Sequence, residues 1–349
     1  MTDPLLTELW RQLHDLPGPH LVIADENCRD APWSLLPPGC RVLSNRWDVA
    51  EQARRSACDS RFSDFDLSFW EEPPRAIVYR VSKEKPLVHY VINEARRVLP
   101  VGGHLLLGGE KSEGIKSYAS KAAALFGQEA RARKEGKQYF CHLQQRTVNG
   151  TAPPLDDQDY RNVREVACQS GVRIFGKPGL FGWDRVDAGS ALLVTQLAEL
   201  LGQTTVPRLL DLGCGSGYLA AMAASYAREI VATDNNAAAL AAAASTFAAN
   251  GIEASVIAGD CGDRIEPAFD LILCNPPFHQ GFDHSGDLTR RFLQAAARLL
   301  EPDGQALFVV NAFIGLETLA ADCFGECRTV VRDRSFKVIR LRRPRALRR

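Results

Sequence analysis

The sequence predicts an α/β chain of two successive sheets, the second better defined than the first. Three observations carry this. In the second half the strand Val206-Pro207-Arg208-Leu209-Leu210-Asp211-Leu212 runs into the glycine-rich turn Gly213-Cys214-Gly215-Ser216-Gly217 and then into an alanine-rich helix. Further apolar strands follow at 230–234, 254–258, 271–274 and 305–311, and each ends on a polar group. Five strand ends that line up in this way are the grammar of an open Rossmann-like sheet, which binds ligands outside the carboxyl ends of its strands. In the first half the strand 76–81, the helix 87–99 and the strand 103–109 repeat the pattern, and residues 97–107 echo residues 298–308 as helix end, turn and strand. The first half is therefore expected to be a degenerate α/β unit of similar fold.

The segment 149–157 is rich in turn formers and acids and reads as a linker. The boundary is placed near residue 160, giving units 1–160 and 161–349, and residues 163–175 alternate enough to open the second unit as a strand or hairpin. At 349 residues and 46% hydrophobic content the chain can bury two cores. Ala237 to Ala249 reads as a helix packed on the second sheet. Ten cysteines occur without CxxC spacing, and the start Met1-Thr2-Asp3-Pro4 has no basic segment followed by an apolar run. Reduced thiols and a cytoplasmic location are expected. No apolar stretch approaches the roughly 18 to 20 residues of a membrane span, and no spacing suggests a metal. Lys plus Arg equal Asp plus Glu at 42 each, so nucleic-acid binding cannot be argued from the total. Distribution is more informative: ten basic residues from Arg328 to Arg349 face one acid, Asp333, a pattern that fits phosphate contact or a solvated tail. The run Arg131-Ala132-Arg133-Lys134-Glu135-Gly136-Lys137 could flank RNA or be a solvated helix face. A chain with two internal domains is expected to be a monomer.

The strand ends carry the chemistry. Gly213, Gly215 and Gly217 allow positive φ and close backbone approach to a ligand. Asp211 could hold an amino group, Asp234 lies where a carboxylate accepts from ribose hydroxyls, and Asp260 could receive an adenine amine. The run Leu271-Ile272-Leu273-Cys274-Asn275-Pro276-Pro277-Phe278 is the most telling. Two prolines cannot continue a buried strand, so Asn275 is left at its carboxyl edge. There the Asn275 side-chain carbonyl and the Pro276 backbone carbonyl can accept both hydrogens of an NH2 group, while Phe278 stacks on the ring that bears it. The plainer readings are helix caps for Asp234 and Asp260, core packing for Phe278, and packed small residues for Cys214 and Cys261. His279 is given no catalytic role.

From about residue 181 to 338 the chain resembles the class I S-adenosylmethionine-dependent methyltransferases of the small-methyltransferase-domain group, whose amino-methylating members share Asn-Pro-Pro-aromatic. Asn275-Pro276-Pro277-Phe278-His279, the stretch 180–190 and Val310-Asn311-Ala312-Phe313 resemble the ribosomal RNA guanine-N2 methyltransferases within it, nearest to the small subunit methyltransferase C (RsmC) family and next to the large-subunit counterpart. The resemblance implies S-adenosyl-L-methionine as cofactor, with Asp211, Gly213, Gly215, Asp234 and Asp260 holding it, and Asn275, Pro276 and Phe278 holding the target base. The Asp187 to Gly189 segment resembles the part that covers the methionine end. The implied partner is ribosomal RNA in the small subunit. The first unit lacks both the glycine turn and an Asn-Pro-Pro-Phe run, so it is expected to bind no cofactor, its expected tasks being support of its neighbour and contact with RNA. Two other readings stay open: methylation of a protein glutamine or of adenine, which uses the same grip, and a catalytically silent RNA-binding assembly factor. The implied chemistry is coherent. A guanine N2 lone pair is delocalised into the ring, so two acceptors that draw its hydrogens make it nucleophilic, while a sulfonium methyl needs mainly in-line positioning.

Overall fold

The computed structural model describes residues 3–147, 152–277 and 282–345. The chain divides into two compact units, Met1–Asn162 and Val163–Arg349. The first contains strands β1 (His20–Ala24), β2 (Arg41–Ser44), β3 (Asp59–Phe62), β4 (Ala76–Arg80), β5 (His104–Glu110), β6 (Arg133–Glu135) and β7 (Gln138–Gln144), in the sheet order β3-β2-β1-β4-β5-β7-β6. The second opens with the hairpin β8 (Arg164–Gln169) and β9 (Val172–Gly176). Its sheet contains β10 (Val206–Leu212), β11 (Ala227–Asp234), β12 (Ser255–Ala258), β13 (Phe269–Cys274), β14 (Leu300–Asn311), β15 (Phe324–Arg332) and β16 (Phe336–Pro344), ordered β12-β11-β10-β13-β14-β16-β15. Counted within each seven-stranded sheet, both run third, second, first, fourth, fifth, seventh, sixth. In both, the first five strands pair in parallel, the seventh runs antiparallel beside the fifth, and the sixth pairs antiparallel with the seventh.

Helices α1 (Pro4–His14), α2 (Trp47–Arg55), α3 (Lys85–Val98) and α4 (Ile115–Leu125) belong to the first unit. Those of the second are α5 (Ala188–Leu201), α6 (Tyr218–Met222), α7 (Ala237–Ala249), α8 (Phe282–Leu299) and α9 (Leu316–Ala320). A parallel sheet needs cover on both faces, and the second unit supplies it with two cores. One gathers Ile272, Phe292, Phe308 and Ile339, the other Leu193, Leu219, Phe247 and Leu271. At the centre, Leu271, Ile272 and Leu273 of β13 are fully buried, each worth about 1.5–3 kcal/mol of burial. That anchors the strand whose end carries Asn275.

Pairing registers make positions in the two units comparable. Tyr79 lies opposite Leu107 as Cys274 lies opposite Phe308, so the next residue is Arg80 in one unit and Asn275 in the other. Val22 pairs with Val78 and Val42 as Asp211 pairs with Leu273 and Ala232. Val22 therefore stands in the place of Asp211, and Ser44 in that of Asp234. Ion pairs and aromatic rings knit the first sheet's carboxyl edge together. Arg80 donates to Glu113 (2.6 Å), to the Val81 carbonyl (2.8 Å) and to Asp3 (3.3 Å). Arg46 pairs with Glu26 at 2.8 Å, and the fully buried Tyr160 stacks on Tyr90 while donating to Asp64.

Two details differ from the sequence pattern. Strand β14 begins at Leu300 rather than 305, because Leu300 already pairs with Phe269 before the register shifts. The basic run at 131–137 is no helix face: Arg133 to Glu135 pair with Gln138 to Phe140 across a turn at Gly136 (φ 60°), forming an edge strand.

The Arg80 pair gives a test. In Arg80→Met the Glu113 carboxylate, whose side chain is 9% exposed, would lose its cation and keep the Glu110 amide, which donates to it at 2.8 Å. Breaking a buried pair from one side typically costs about 3–5 kcal/mol, so urea unfolding of the variant is expected to fall by that amount. A loss under about 1 kcal/mol would mean that the pair does not hold this edge.

Candidate active site

The carboxyl edge of the second sheet gathers nearly every polar residue that the sequence singled out. Gly213, Gly215 and Gly217 have φ of 79°, 53° and 75°, which L side chains rarely adopt. The turn is fastened by the Gly213 and Cys214 amides donating to the Thr233 carbonyl at 2.9 and 3.0 Å. Only a short helix follows, α6 of five residues.

Asp211 is fully buried within β10. Its Oδ2 accepts from the Ala220 amide at 2.9 Å, and its Oδ1 has no hydrogen-bond partner among the described residues. Burial pushes its carboxyl up to about 7, with the Ala220 bond opposing and the charge of Asp234 adding. Asp234, at the end of β11, accepts from the Gly215 amide at 3.0 Å and from the Asn236 amide at 2.9 Å. Its carboxylate is thus held at the edge of the glycine turn. Asp260 follows β12 and accepts from Arg291 of α8. Cys214 is buried, and burial raises its thiol well above the ordinary value, so it is a packed residue rather than a nucleophile.

Asn275 stands one residue beyond β13, half-buried, with Pro276 buried beneath it. Its Nδ2 donates to Asp187 Oδ1 at 2.7 Å and to Ser190 Oγ at 2.9 Å. A carboxylate only accepts. The reversed amide would set two oxygens against each other at that distance, so the donor side of Asn275 is committed and its carbonyl is the side left to face a ligand. Asp187 also caps α5 by accepting from the Ser190 amide at 2.8 Å. Gly189 between them is a glycine for lack of space: a Cβ there would lie 3.0 Å from the Phe336 ring and 3.1 Å from Asp187 Oδ1. Phe278 and His279 lie outside the described residues.

Sequence reasoning missed Ser190 and Asn236. Asn236 caps α7 through the Ala238 amide and donates from Nδ2 to the Gly179 carbonyl at 2.8 Å, which ties the loop before α5 to the end of β11. The Asp-x-x-Ser spacing of a helix cap was the available signal for Ser190. Among the described residues no cluster of His, Cys, Asp and Glu could hold a metal ion, and no helix is long and apolar enough to cross a membrane. Chemically, the edge offers a glycine cradle, carboxylates graded from buried to partly exposed, and an oriented amide carbonyl beside a proline.

Comparison with known proteins bears on the same segments. A family model described as methyltransferase small domain matches residues 171–340, and one described as methyltransferase small domain N-terminal matches residues 8–161. A ribosomal RNA small subunit methyltransferase C from Pseudomonas paraeruginosa (strain DSM 24068 / PA7) is 33% identical over 352 residues, covering 98% of this chain and 100% of the relative. Its namesake from Stutzerimonas stutzeri (strain A1501) is 35% identical over 301 residues, covering 84% and 87%. The fold matches that of the T. thermophilus 16S rRNA N2-guanine methyltransferase (RsmC), solved in complex with AdoMet and guanosine. The TM-score is 0.81 at 24% identity, over 98% of this chain and 92% of that one.

The buried carboxyl of Asp211 sets a pH dependence. Its native value near 7 lies above the ordinary 3.8, so the folded chain binds this proton more tightly than the unfolded one. The associated stability is complete below about pH 4 and is lost as the pH rises through 7. Asp211→Asn is therefore expected to melt higher than the wild type at pH 8 in the absence of ligand, by a margin that narrows towards pH 5. A margin independent of pH would rule out this carboxyl as the cause.

Proposed function

The chain belongs to the ribosomal RNA small subunit methyltransferase C family, and from that premise we propose that it transfers the methyl group of S-adenosylmethionine to the exocyclic N2 amine of a guanine in 16S rRNA of the small ribosomal subunit. The observation that carries the proposal is the committed amide of Asn275: a carbonyl fixed at the carboxyl end of the central strand, next to a second carbonyl on Pro276. When bound, S-adenosylmethionine supplies an activated methyl on a sulfonium. The residues present suit it. The buried Oδ1 of Asp211, without a hydrogen-bond partner among the described residues, suits an ammonium group. The Gly213 to Gly217 turn suits close backbone approach, Asp234 suits ribose hydroxyls, and Asp260 suits the adenine amine. Asp187 and Gly189, at the start of α5, suit the methionine end.

Each residue then has a defined task. Asn275 Oδ1 and the Pro276 carbonyl accept the two hydrogens of the guanine amine, turn its lone pair towards the methyl and stabilise the positive charge that grows on nitrogen during transfer. Phe278 stacks on the guanine ring, fixing the approach in line. The proton released from the ammonium product leaves to solvent once the methyl has moved. Asp187 and Ser190 hold the amide in the orientation that this requires. The first unit supports the second and adds contact with the RNA, and the protein works as a monomer in the cytoplasm.

Asn275→Ala removes one of the two acceptors. Single-turnover methyl transfer to small subunits lacking the modification is expected to fall by about 100- to 1000-fold, the usual loss for one preorganised polar contact. Cofactor affinity and most of the subunit affinity should persist, because phosphate contacts elsewhere supply the latter. Digestion and mass mapping of the wild-type product should place the new methyl on guanine N2. Transfer by the variant within a few-fold of wild type would remove Asn275 from the chemistry, and a methyl on adenine or on a protein glutamine would replace the substrate assignment.

A further inference from the structure

Phe313 is 76% exposed, the highest value among the large hydrophobic side chains of the described residues. It lies just past β14, the strand beside β13, and so at the same sheet edge as Asn275. Its backbone is tied down on both sides. Ala312 donates to the Ser335 carbonyl at 2.8 Å and Ile314 to the Asn311 carbonyl at 3.0 Å, while the flanking Ala312 and Leu316 are buried. A phenyl ring is thus held in solvent by a fixed turn.

The Ser335 contact brings the β15–β16 turn alongside. That turn is closed by Asp333, whose Oδ1 accepts from the Ser335 and Phe336 amides, both at 2.7 Å. Arg332 and Arg334 flank it, both exposed and neither in an ion pair among the described residues. Lys337, by contrast, is matched by Glu317 at 2.6 Å. The charge is segregated at this place. Residues 163–327 hold ten Lys and Arg against nineteen Asp and Glu, whereas residues 328–349 hold ten against Asp333 alone, and the Asp333 carboxylate is occupied in the turn.

An exposed aromatic ring with two arginines, unpaired among the described residues, on the neighbouring turn is what an unpaired nucleotide needs: a surface for the base and cations for its phosphates. A duplex offers no free base face to such a ring. Resting on the function proposed above, we propose that Phe313, Arg332 and Arg334 form a docking platform for an unpaired RNA nucleotide next to the target guanine, the base stacking on Phe313 and the backbone held by the two arginines.

The test uses the full chain and compares the wild type with Phe313→Ala, Phe313→Tyr and the double variant Arg332→Gln with Arg334→Gln. The probes are a labelled single-stranded RNA of about ten nucleotides, the same RNA as a duplex, and small ribosomal subunits. The thermal shift with S-adenosylmethionine reports folding and the cofactor site. Phe313→Ala is expected to bind the single strand about 5- to 100-fold more weakly, with duplex affinity unchanged and KM for subunits raised more than kcat is lowered. Phe313→Tyr should keep wild-type behaviour. The arginine variant should lower the slope of log affinity against log salt by about 0.7 per lost contact. Unchanged single-strand binding by Phe313→Ala overturns the platform even where the wild type methylates RNA. Unchanged RNA binding with loss of subunit binding also overturns it and identifies a protein partner on this face. A wild type that binds single strands through Phe313 and methylates no RNA supports the platform and removes the proposed activity. A wild type that does neither removes both.

Discussion

The pair of hydrogen bonds from Asn275 Nδ2 to Asp187 and Ser190 is the constraint on which the site depends. An asparagine amide is ambiguous by itself, since its two ends are nearly the same shape and opposite in hydrogen-bonding character. Placing a carboxylate 2.7 Å from one end removes the ambiguity. The fold makes this contact possible by bringing two features together. Strand β13 is buried on both faces and stops at a diproline, which fixes where Asn275 stands. Helix α5 begins at the same edge, capped by the carboxylate that the amide needs, and Gly189 leaves room for Phe336 to pack beneath that cap.

The two sheets show how one architecture can keep or lose such a site. Strand order and pairing are the same in both units, yet the positions that bear function in one carry structural groups in the other. Arg80 occupies the place of Asn275 and is drawn inward by Glu113, where it stiffens the edge. Val22 and Ser44 take the places of Asp211 and Asp234, so neither position carries a carboxylate; the buried carboxyl of the first unit, among the described residues, is Asp25, one residue past β1, which accepts from Tyr79 and Asn27. In the second unit Asp211 is kept buried at a cost in stability above neutral pH, with one oxygen lacking a hydrogen-bond partner among the described residues.

Much of this was legible in the sequence, and the limits have physical causes. Strands of the second sheet and the helix from Ala237 to Ala249 follow from apolar runs and alanine content, which are local signals. The glycine turn declares itself because only glycine takes its backbone angles readily. The Asp-x-x-Ser spacing marks Ser190 only as part of a helix cap; the contacts that make Ser190 and Asn236 site residues are with partners 85 and 57 positions away in the chain, which no local pattern encodes. The run at 131–137 could be read as a helix face until its pairing with β7 made it an edge strand, a case of tertiary contact overriding composition.

The orientation of the Asn275 amide is the centre of this account, and one exchange of charge tests it directly. Asn275→Asp keeps acceptor oxygens for a substrate amine but sets a carboxylate against Asp187. Adding Asp187→Asn restores a donor between the two positions and keeps a good helix cap. Single-turnover methyl transfer to small subunits, measured on both proteins with cofactor binding as control, should be nearly lost in the single variant and recovered at least tenfold in the double. Full activity in Asn275→Asp alone, or no recovery in the double variant with cofactor binding intact, would contradict the claim that Asp187 sets the amide for catalysis.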